Sequence, residues 1–218
     1  MSLKDPVLKD YRILPKSAPQ QLVVLLHGVG ANGQDLIDLG GMWQTVLPNC
    51  AFVSPDGAEA YDMAPFGRQW FSLRDRSQEA MLSGIQKTRP VLDAYLDNLL
   101  KEFSLPANKL ALVGFSQGTM MSLYLGPRRA EQIAGIMGYS GALLGGEHLH
   151  TEIKSKPPIC LVHGMDDEVV PVAASRMAQQ VLENEGIKTE LHLRENLGHG
   201  IDDAGLKLGA AFLQRILA

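Results

Sequence analysis

The chain alternates short, continuous apolar runs with longer segments of helical period. The apolar runs are 21–27 (QLVVLLH), 51–54, 109–114 (KLALVG), 133–139 and 159–163. Runs of this kind are typical of parallel strands that are buried on both faces. The segment 188–194 (KTELHLR) alternates polar and apolar residues, which predicts a strand nearer to a sheet edge.

Helical spacing of apolar residues appears between these runs. It is seen over 91–103, 174–185 and 204–217, and the segment that follows 114 is compatible with a further helix. Strands that alternate with helices predict an α/β fold, with a mostly parallel central sheet and helices on both faces. In such a sheet, functional groups gather at the carboxyl ends of the strands. The residues that follow each predicted strand are therefore the candidates for chemistry.

Length and composition narrow the possible partners. A chain of 218 residues without repeats or linkers is expected to form a single domain over 1–218. It is 45% hydrophobic and 20% charged, with a net charge of −4. Because the balance is mildly acidic and lacks a dense Lys/Arg cluster, nucleic acid and anionic membranes are not expected as partners. The substrate should instead be a small molecule or lipid-like, and a homodimer stays open.

The sequence also predicts a cytoplasmic protein. Its first 15 residues, MSLKDPVLKDYRILP, lack the apolar stretch of a signal peptide, and no run approaches the length that spans a bilayer. Cys50 and Cys160 have no metal-ligand spacing. We interpret them as buried free thiols in a reducing compartment, with a single bridge as the alternative.

One five-residue segment has the pattern of a hydrolase nucleophile: Gly114-Phe115-Ser116-Gln117-Gly118. It lies between a predicted buried strand and a predicted helix. A sharp turn there exposes the serine Oγ above the sheet, and flanking glycines remove Cβ atoms that would collide with the strand and the helix. The helix N-terminus then favours negative charge on a bound substrate. We therefore expect Ser116 to be the nucleophile of an α/β-hydrolase fold.

A serine nucleophile needs a base, and in this fold the chain order is Ser, Asp/Glu, His. After the plausible acids the sequence offers His192 and His199. His192 lies inside the alternating segment 188–194 and is expected on a strand face. His199 lies in the glycine-containing loop after it, from which an imidazole can reach Ser116. Order and position therefore favour His199 as the base.

The acid should follow the apolar run 159–163. Three adjacent carboxylates stand there, Asp166, Asp167 and Glu168. Position alone does not choose between them, and at least two are expected to be solvated loop residues.

The loop after the first apolar run has two interpretations. Residues 28–33 form a literal Gly-x-Gly-x-x-Gly, and Asp56 follows the next predicted strand, as in a dinucleotide-binding fingerprint. In a hydrolase the same loop would present the backbone N–H of Val29, which with the N–H of Gln117 forms an oxyanion hole. We favour the hydrolase, because the nucleophile, acid and base match at three separate strand ends. His27 is then expected to position the loop.

Two further features carry weaker expectations. Trp70 and Phe71 lie in a long connection, 55–84, with few strand or helix signals, so they are expected either to line an acyl pocket or to cap the core. His148 and His150 resemble a metal pair, but no third ligand is evident nearby, and a surface loop is the better interpretation. No metal or cofactor is expected.

The motifs together resemble the phospholipase/carboxylesterase family, which includes acyl-protein thioesterases. They are LLHGVGANG, SPD, WF, GFSQG, HGMDDEVVP and GHG, and the matches run in the family's order from Val23 to Gly200. The resemblance implies Ser116 as nucleophile, Asp167 as acid (with Asp166 as the alternative) and His199 as base. It also implies oxyanion donors at Val29 and Gln117, and hydrolysis of carboxylic esters, thioesters or lysophospholipids without a cofactor.

Together these expectations predict a serine carboxylesterase that hydrolyses small to medium acyl esters. About twenty residues separate the runs that end at 139 and begin at 159, so no large inserted lid domain is expected, and the site should be an open, shallow apolar groove. The alternatives are a non-catalytic binding protein on the same scaffold and the dinucleotide-binding domain.

Overall fold

The computed structural model describes residues 8–218, and the apolar runs of the sequence are its central strands. The strands are β1 (Asp10–Ile13), β2 (Gln21–Leu26), β3 (Cys50–Pro55), β4 (Glu59–Ala60), β5 (Arg68–Gln69), β6 (Leu110–Phe115), β7 (Gly135–Tyr139), β8 (Ile159–Gly164) and β9 (Thr189–Arg194). Each predicted strand is present, with ends that differ from the prediction by one or two residues.

The helices lie between the strands as the periodicity predicts. They are α1 (Gly33–Trp43), α2 (Gln78–Phe103), α3 (Gln117–Leu125), α4 (Leu149–Glu152), α5 (Ala173–Asn184) and α6 (Asp203–Leu217). None of the helices in the described part of the chain is both long and apolar enough to cross a membrane.

Seven strands form the central sheet, in the order β1-β3-β2-β6-β7-β8-β9. All neighbours are parallel except β1, which pairs antiparallel with β3. The alternating strand β9 lies at the edge, as predicted. A sheet whose strands run parallel brings the ends of β6, β8 and β9 to one side, where the candidate residues follow them.

The core has two layers because alternate residues of each strand point to opposite faces. On β2, Leu22, Val24 and Leu26 pack with α2, α3 and α5, whereas Val23 and Leu25 pack with α1 and α6. Both faces are therefore covered by helices, and the predicted α/β-hydrolase fold is confirmed. Between β7 and β8 only a short 3₁₀ turn and the four-residue α4 are present, so no large lid is inserted there.

The structure departs from the sequence prediction at β1 and at the start of α2. β1 (DYRI) is short and half-polar. Residues 1–7, the first part of the segment in which no signal peptide was expected, lie outside the described residues. The predicted long connection after β3 contains the β4–β5 pair and the first turns of α2. The side chain of Ser77 caps the N-terminus of this helix. The apolar residues of these first turns, Met81, Leu82 and Ile85, are interrupted by Gly84, and helical spacing was predicted only from 91 onwards.

Candidate active site

Ser116 lies at a strained turn between β6 and α3. Its backbone has φ 53° and ψ −115°, a conformation that L-residues rarely adopt and that is held by its surroundings. The Ser116 N–H donates to the carbonyl of Tyr139 at 2.9 Å, which ties the turn to the end of β7. A Cβ at Gly118 would overlap the carbonyl oxygen of Leu26. The flanking glycine is therefore required by close backbone approach, as the motif predicts.

The loops after β8 and β9 bring one carboxylate and one imidazole together. The Nδ1 of His199 lies 2.7 Å from Oδ2 of Asp167. The side chain of Asp167 is fully buried, whereas Asp166 and Glu168 are exposed. The structure thus pairs His199 with Asp167 and not with either neighbour.

Hydrogen bonds fix the ionised form of Asp167. Burial raises the pKa of this carboxyl, but the His199 side chain and the N–H groups of Val169 and Val170 outweigh it, so the pKa lies below its ordinary value. Both N–H groups donate to Oδ1, at 2.9 and 2.8 Å. A carboxylate held in this way keeps the Nδ1–H tautomer of His199, which leaves Nε2 free to accept a proton.

His199 and the serine turn lie side by side at the carboxyl edge of the sheet. The ring centroids of His199 and Phe115, the residue before Ser116, are 4.9 Å apart. Within residues 8–218 no hydrogen bond joins Ser116 Oγ to His199. In free enzymes such bonds are often long and shorten only when substrate binds.

The glycine loop packs directly on the serine turn. A Cβ built at Gly28 would lie 3.3 Å from the Cβ of Ser116. Neither the N–H of Val29 nor that of Gln117 donates a hydrogen bond within residues 8–218. Gln117 is the first residue of α3, where the N–H has no intrahelical acceptor. Two unpaired donors therefore flank the serine.

Asp56 and His27 hold this loop in place. Asp56 is buried, and its Oδ1 accepts the N–H of Gly33 at 2.9 Å. His27 is also buried; its Nε2 accepts the N–H of Gly57 at 2.8 Å, so its Nδ1–H donates to Gly28. The acid that a dinucleotide fingerprint would direct at a ribose is thus engaged with the start of α1. The structural role expected for His27 agrees with these contacts.

Trp70 and Phe71 are core residues, exposed by only 0% and 1%. The expectation that they line an acyl pocket is therefore replaced by its alternative, in which they pack in the core. The Nε1–H of Trp70 donates to the carbonyl of His27, so their burial also supports the glycine loop.

The side chain of Gln117 makes a contact that sequence reasoning missed. It is fully buried, its Oε1 accepts the N–H of Trp70 at 2.9 Å, and its Nε2 donates to the carbonyl of Phe71 at 2.7 Å. One amide thus satisfies both polar groups of a segment 46 residues away. The only sequence signal was the amide in the Gly-Phe-Ser-Gln-Gly segment itself.

Three other histidines and both cysteines lie away from this site. His148 and His150 are exposed, and His192 is half-buried on β9, as expected. Cys50 and Cys160 are buried and unbridged. Potential metal ligands approach one another at Cys160, Glu190 and His192. Glu190, however, already accepts a 2.6 Å hydrogen bond from Arg215, so we interpret the cluster as an ion-pair network.

One apolar cavity adjoins the serine turn, and a second lies beside the loop after β7. One of about 260 Å³ is lined by His27, Gly28, Ala31, Asp35, Leu36, Phe115 and Ile201. The other, of about 450 Å³, is lined by residues of the loop after β7 and of α5, among them Ala142, Leu143, Leu144, Ala174, Met177 and Val181. The second begins next to Gly141, where a Cβ would lie 3.1 Å from the carbonyl oxygen of Ser116.

Known proteins share this fold and these motifs over nearly the whole chain. The phospholipase/carboxylesterase family model matches residues 12–217. Esterase YpfH of Escherichia coli K12 is 30% identical over 203 residues, which cover 92% of this chain and 84% of that protein. Acyl-protein thioesterase 1 of Yarrowia lipolytica is 27% identical, with 83% of this chain and 84% of that protein covered.

Solved structures also match this chain over nearly its whole length. The crystal structure of esterase PE8 matches with a TM-score of 0.93 and 42% identity, covering 96% of this chain and 99% of that one. The carboxylesterase of Bacillus cereus, at 18% identity and a TM-score of 0.78 over 96% of this chain and 94% of that one, shares the fold. The chain therefore belongs to the phospholipase/carboxylesterase family of α/β-hydrolases, and it is a hydrolase of carboxylic esters or thioesters.

Proposed function

We propose that the chain is a serine carboxylesterase that cleaves small to medium acyl esters through an acyl-enzyme on Ser116. The observation that carries the proposal is the 2.7 Å hydrogen bond between His199 Nδ1 and the buried carboxylate of Asp167, beside a serine held at a positive φ. A base oriented by an acid next to a serine nucleophile on a strained turn is the arrangement that acyl transfer requires.

In the first half-reaction, His199 Nε2 takes the proton of Ser116 Oγ as Oγ bonds to the acyl carbon. The carbonyl oxygen becomes an oxyanion that accepts hydrogen bonds from the N–H groups of Val29 and Gln117. Each such donor contributes about 3–4 kcal/mol to transition-state stabilisation. The bond to the leaving oxygen then breaks, and the alcohol departs with the proton from His199.

In the second half-reaction, His199 takes a proton from water as the water oxygen attacks the acyl carbon. The bond from that carbon to Ser116 Oγ breaks, Oγ regains the proton, and the carboxylic acid leaves. Asp167 keeps its charge throughout and stabilises the imidazolium that forms twice in the cycle.

The apolar cavity of about 260 Å³ that Gly28 and Phe115 line beside the serine turn supports an acyl group of small to medium length. A thioester is an equally competent electrophile, and some relatives are acyl-protein thioesterases. Ser72 follows Trp70-Phe71 where many thioesterases of the family carry an aspartate, which favours simple esters over palmitoylated proteins. The free, buried thiols of Cys50 and Cys160 favour the cytoplasm as the location.

The test is labelling with a fluorophosphonate, together with hydrolysis of p-nitrophenyl esters and acyl thioesters of graded chain length. The control variants are Ser116→Ala, and Ser83→Ala on the exposed face of α2. We expect labelling and turnover in the wild type and in Ser83→Ala, and neither in Ser116→Ala. A wild type that neither labels nor hydrolyses any ester would refute the catalytic proposal and leave a binding role, and tight nicotinamide binding would revive the dinucleotide alternative.

A further inference from the structure

A second, fully buried histidine contacts the carboxylate of Asp167. His163 lies on β8 and is 0% exposed. Its Nε2 is 3.2 Å from Asp167 Oδ2 and 2.8 Å from the carbonyl oxygen of Val170. Asp167 Oδ2 is the same atom that accepts the Nδ1–H of His199. One carboxylate oxygen therefore lies between two imidazoles.

The protonation of His163 Nε2 follows from its neighbours. A carbonyl oxygen only accepts hydrogen bonds, so the short contact to Val170 requires a proton on Nε2. The hydrogen bond of this N–H is to Val170, and Asp167 Oδ2 is its other polar neighbour, 3.2 Å from Nε2. His163 therefore presents a positive N–H edge to the carboxylate of the acid.

Ser175, at the start of α5, fixes the other side of the ring. Its Oγ lies 2.6 Å from His163 Nδ1 and 3.2 Å from the carbonyl oxygen of Gly141. In the neutral imidazole the hydroxyl donates to Nδ1; if the ring is doubly protonated, Nδ1–H donates to the hydroxyl, which donates to Gly141. In both states Nε2–H stays directed at Val170 and Asp167.

The four contacts of the Asp167 carboxylate are shared between its two oxygens. Oδ1 accepts two backbone N–H groups, whereas Oδ2 accepts the N–H of His199 and lies 3.2 Å from Nε2 of His163. Rotation of the carboxylate would break bonds on both oxygens at once. His163 supplies the only one of these four contacts that comes from a buried side chain outside the reacting set.

We propose that His163 is a positioning residue that, through Nε2–H, holds the Asp167 carboxylate in the orientation that His199 needs. The inference rests on the proposed function, in which Asp167 orients the base. It assigns a role in turnover to a histidine of the His-Gly segment that does not touch the substrate. Its loss should lower kcat and leave KM nearly unchanged, because the substrate contacts stay intact.

The experiment compares two amides at position 163. The side-chain amide of His163→Gln reaches the place of Nε2 and can present an N–H to Val170 and to Asp167, whereas that of His163→Asn reaches only the place of Nδ1 and falls short. We expect His163→Gln to keep kcat for p-nitrophenyl acetate within about threefold of wild type. We expect His163→Asn to lose about 10- to 100-fold, the scale on which loss of an N–H beside a buried charged group is felt, with KM changed by less than threefold in both.

His163→Leu, which removes every donor, should behave as His163→Asn, and His192→Leu on the neighbouring strand is the matched control. His192 is half-buried and pairs with Glu190, not with Asp167. Equal kcat for His163→Gln and His163→Asn would overturn the inference, whether or not the leucine variant folds. An inactive wild type, or an active Ser116→Ala, would instead refute the proposed function.

Discussion

Replacing Asp167 by asparagine tests the proposed acid most sharply, because an amide is nearly the same size but has a donor in place of one acceptor. N–H groups surround Asp167: those of Val169 and Val170 donate to Oδ1, that of His199 donates to Oδ2, and that of His163 lies beside Oδ2. In the Asn variant one side of the amide must face two of these donors with its own NH₂ group.

The size of the expected loss, in kcat or in stability, depends on which of two orientations the amide of the Asn variant takes. If its oxygen replaces Oδ1, its NH₂ faces His199 and forces the tautomer with a proton on Nε2, which cannot accept from Ser116. In a Ser-His-Asp site the wrong tautomer costs about 10⁴-fold in kcat, or about 5 kcal/mol. If the amide is turned over, the two backbone donors lose their acceptor, at about 1–3 kcal/mol of stability for each buried donor left unpaired.

The assay is kcat and KM for p-nitrophenyl esters, with the free energy of unfolding from urea titration of the same preparations. Asp166→Asn is the matched control, since this neighbour is exposed and should keep activity within about twofold. If Asp166→Asn abolished activity and Asp167→Asn spared it, the assignment of the acid would be wrong.

Three further outcomes are expected. Gly118→Ala should give no folded protein, because its Cβ would overlap a backbone carbonyl of β2, whereas Gly200→Ala, with open space around it, should keep its melting temperature. Asp202→Ala removes the side chain that caps α6 by accepting the N–H of Gly205 at 2.8 Å; urea titration should give a loss of about 1 kcal/mol, and an unchanged midpoint would contradict the capping role. The lowered pKa of Asp167 adds stability above about pH 4 that is lost as pH falls through the folded-state pKa. The difference in unfolding free energy between wild type and Asp167→Asn should therefore shrink below about pH 4. A difference that stayed constant with pH would refute this contribution of Asp167 to stability.

The sequence predicted the strands and most helices because each buries a continuous or periodic apolar surface. The elements that it missed are those in which the local pattern of apolar residues is weak or interrupted. β1 is short and half-polar, and the first turns of α2 lie where Gly84 meets the Phe71 side chain, with a Cβ at 84 only 2.8 Å from it. A glycine inside a helix lowers helical propensity, so local pattern argued against the helix that packing requires.

The candidate site, too, could be predicted from the sequence only in part. Ser116 and His199 could be identified from motif and chain order, because each follows a strand of recognisable pattern. The choice of Asp167 over Asp166 needed the family resemblance, since adjacent loop residues differ only in where the backbone directs them. The contacts of Gln117 and His163 could not be predicted, because their partners lie in segments whose proximity only the fold determines.

The glycine loop illustrates what a short motif specifies physically. Glycines between a strand and a helix indicate that backbone N–H groups are presented at a helix start, and they do not specify the ligand. The side chains around the loop decide the ligand. Asp56 accepts the N–H of Gly33 and is thereby engaged within the protein, while Ser116 lies against Gly28. In the proposed mechanism, a loop whose acid is engaged internally and which lies against Ser116 is suited to a transient oxyanion, the charge that forms while Ser116 is bonded to the acyl carbon.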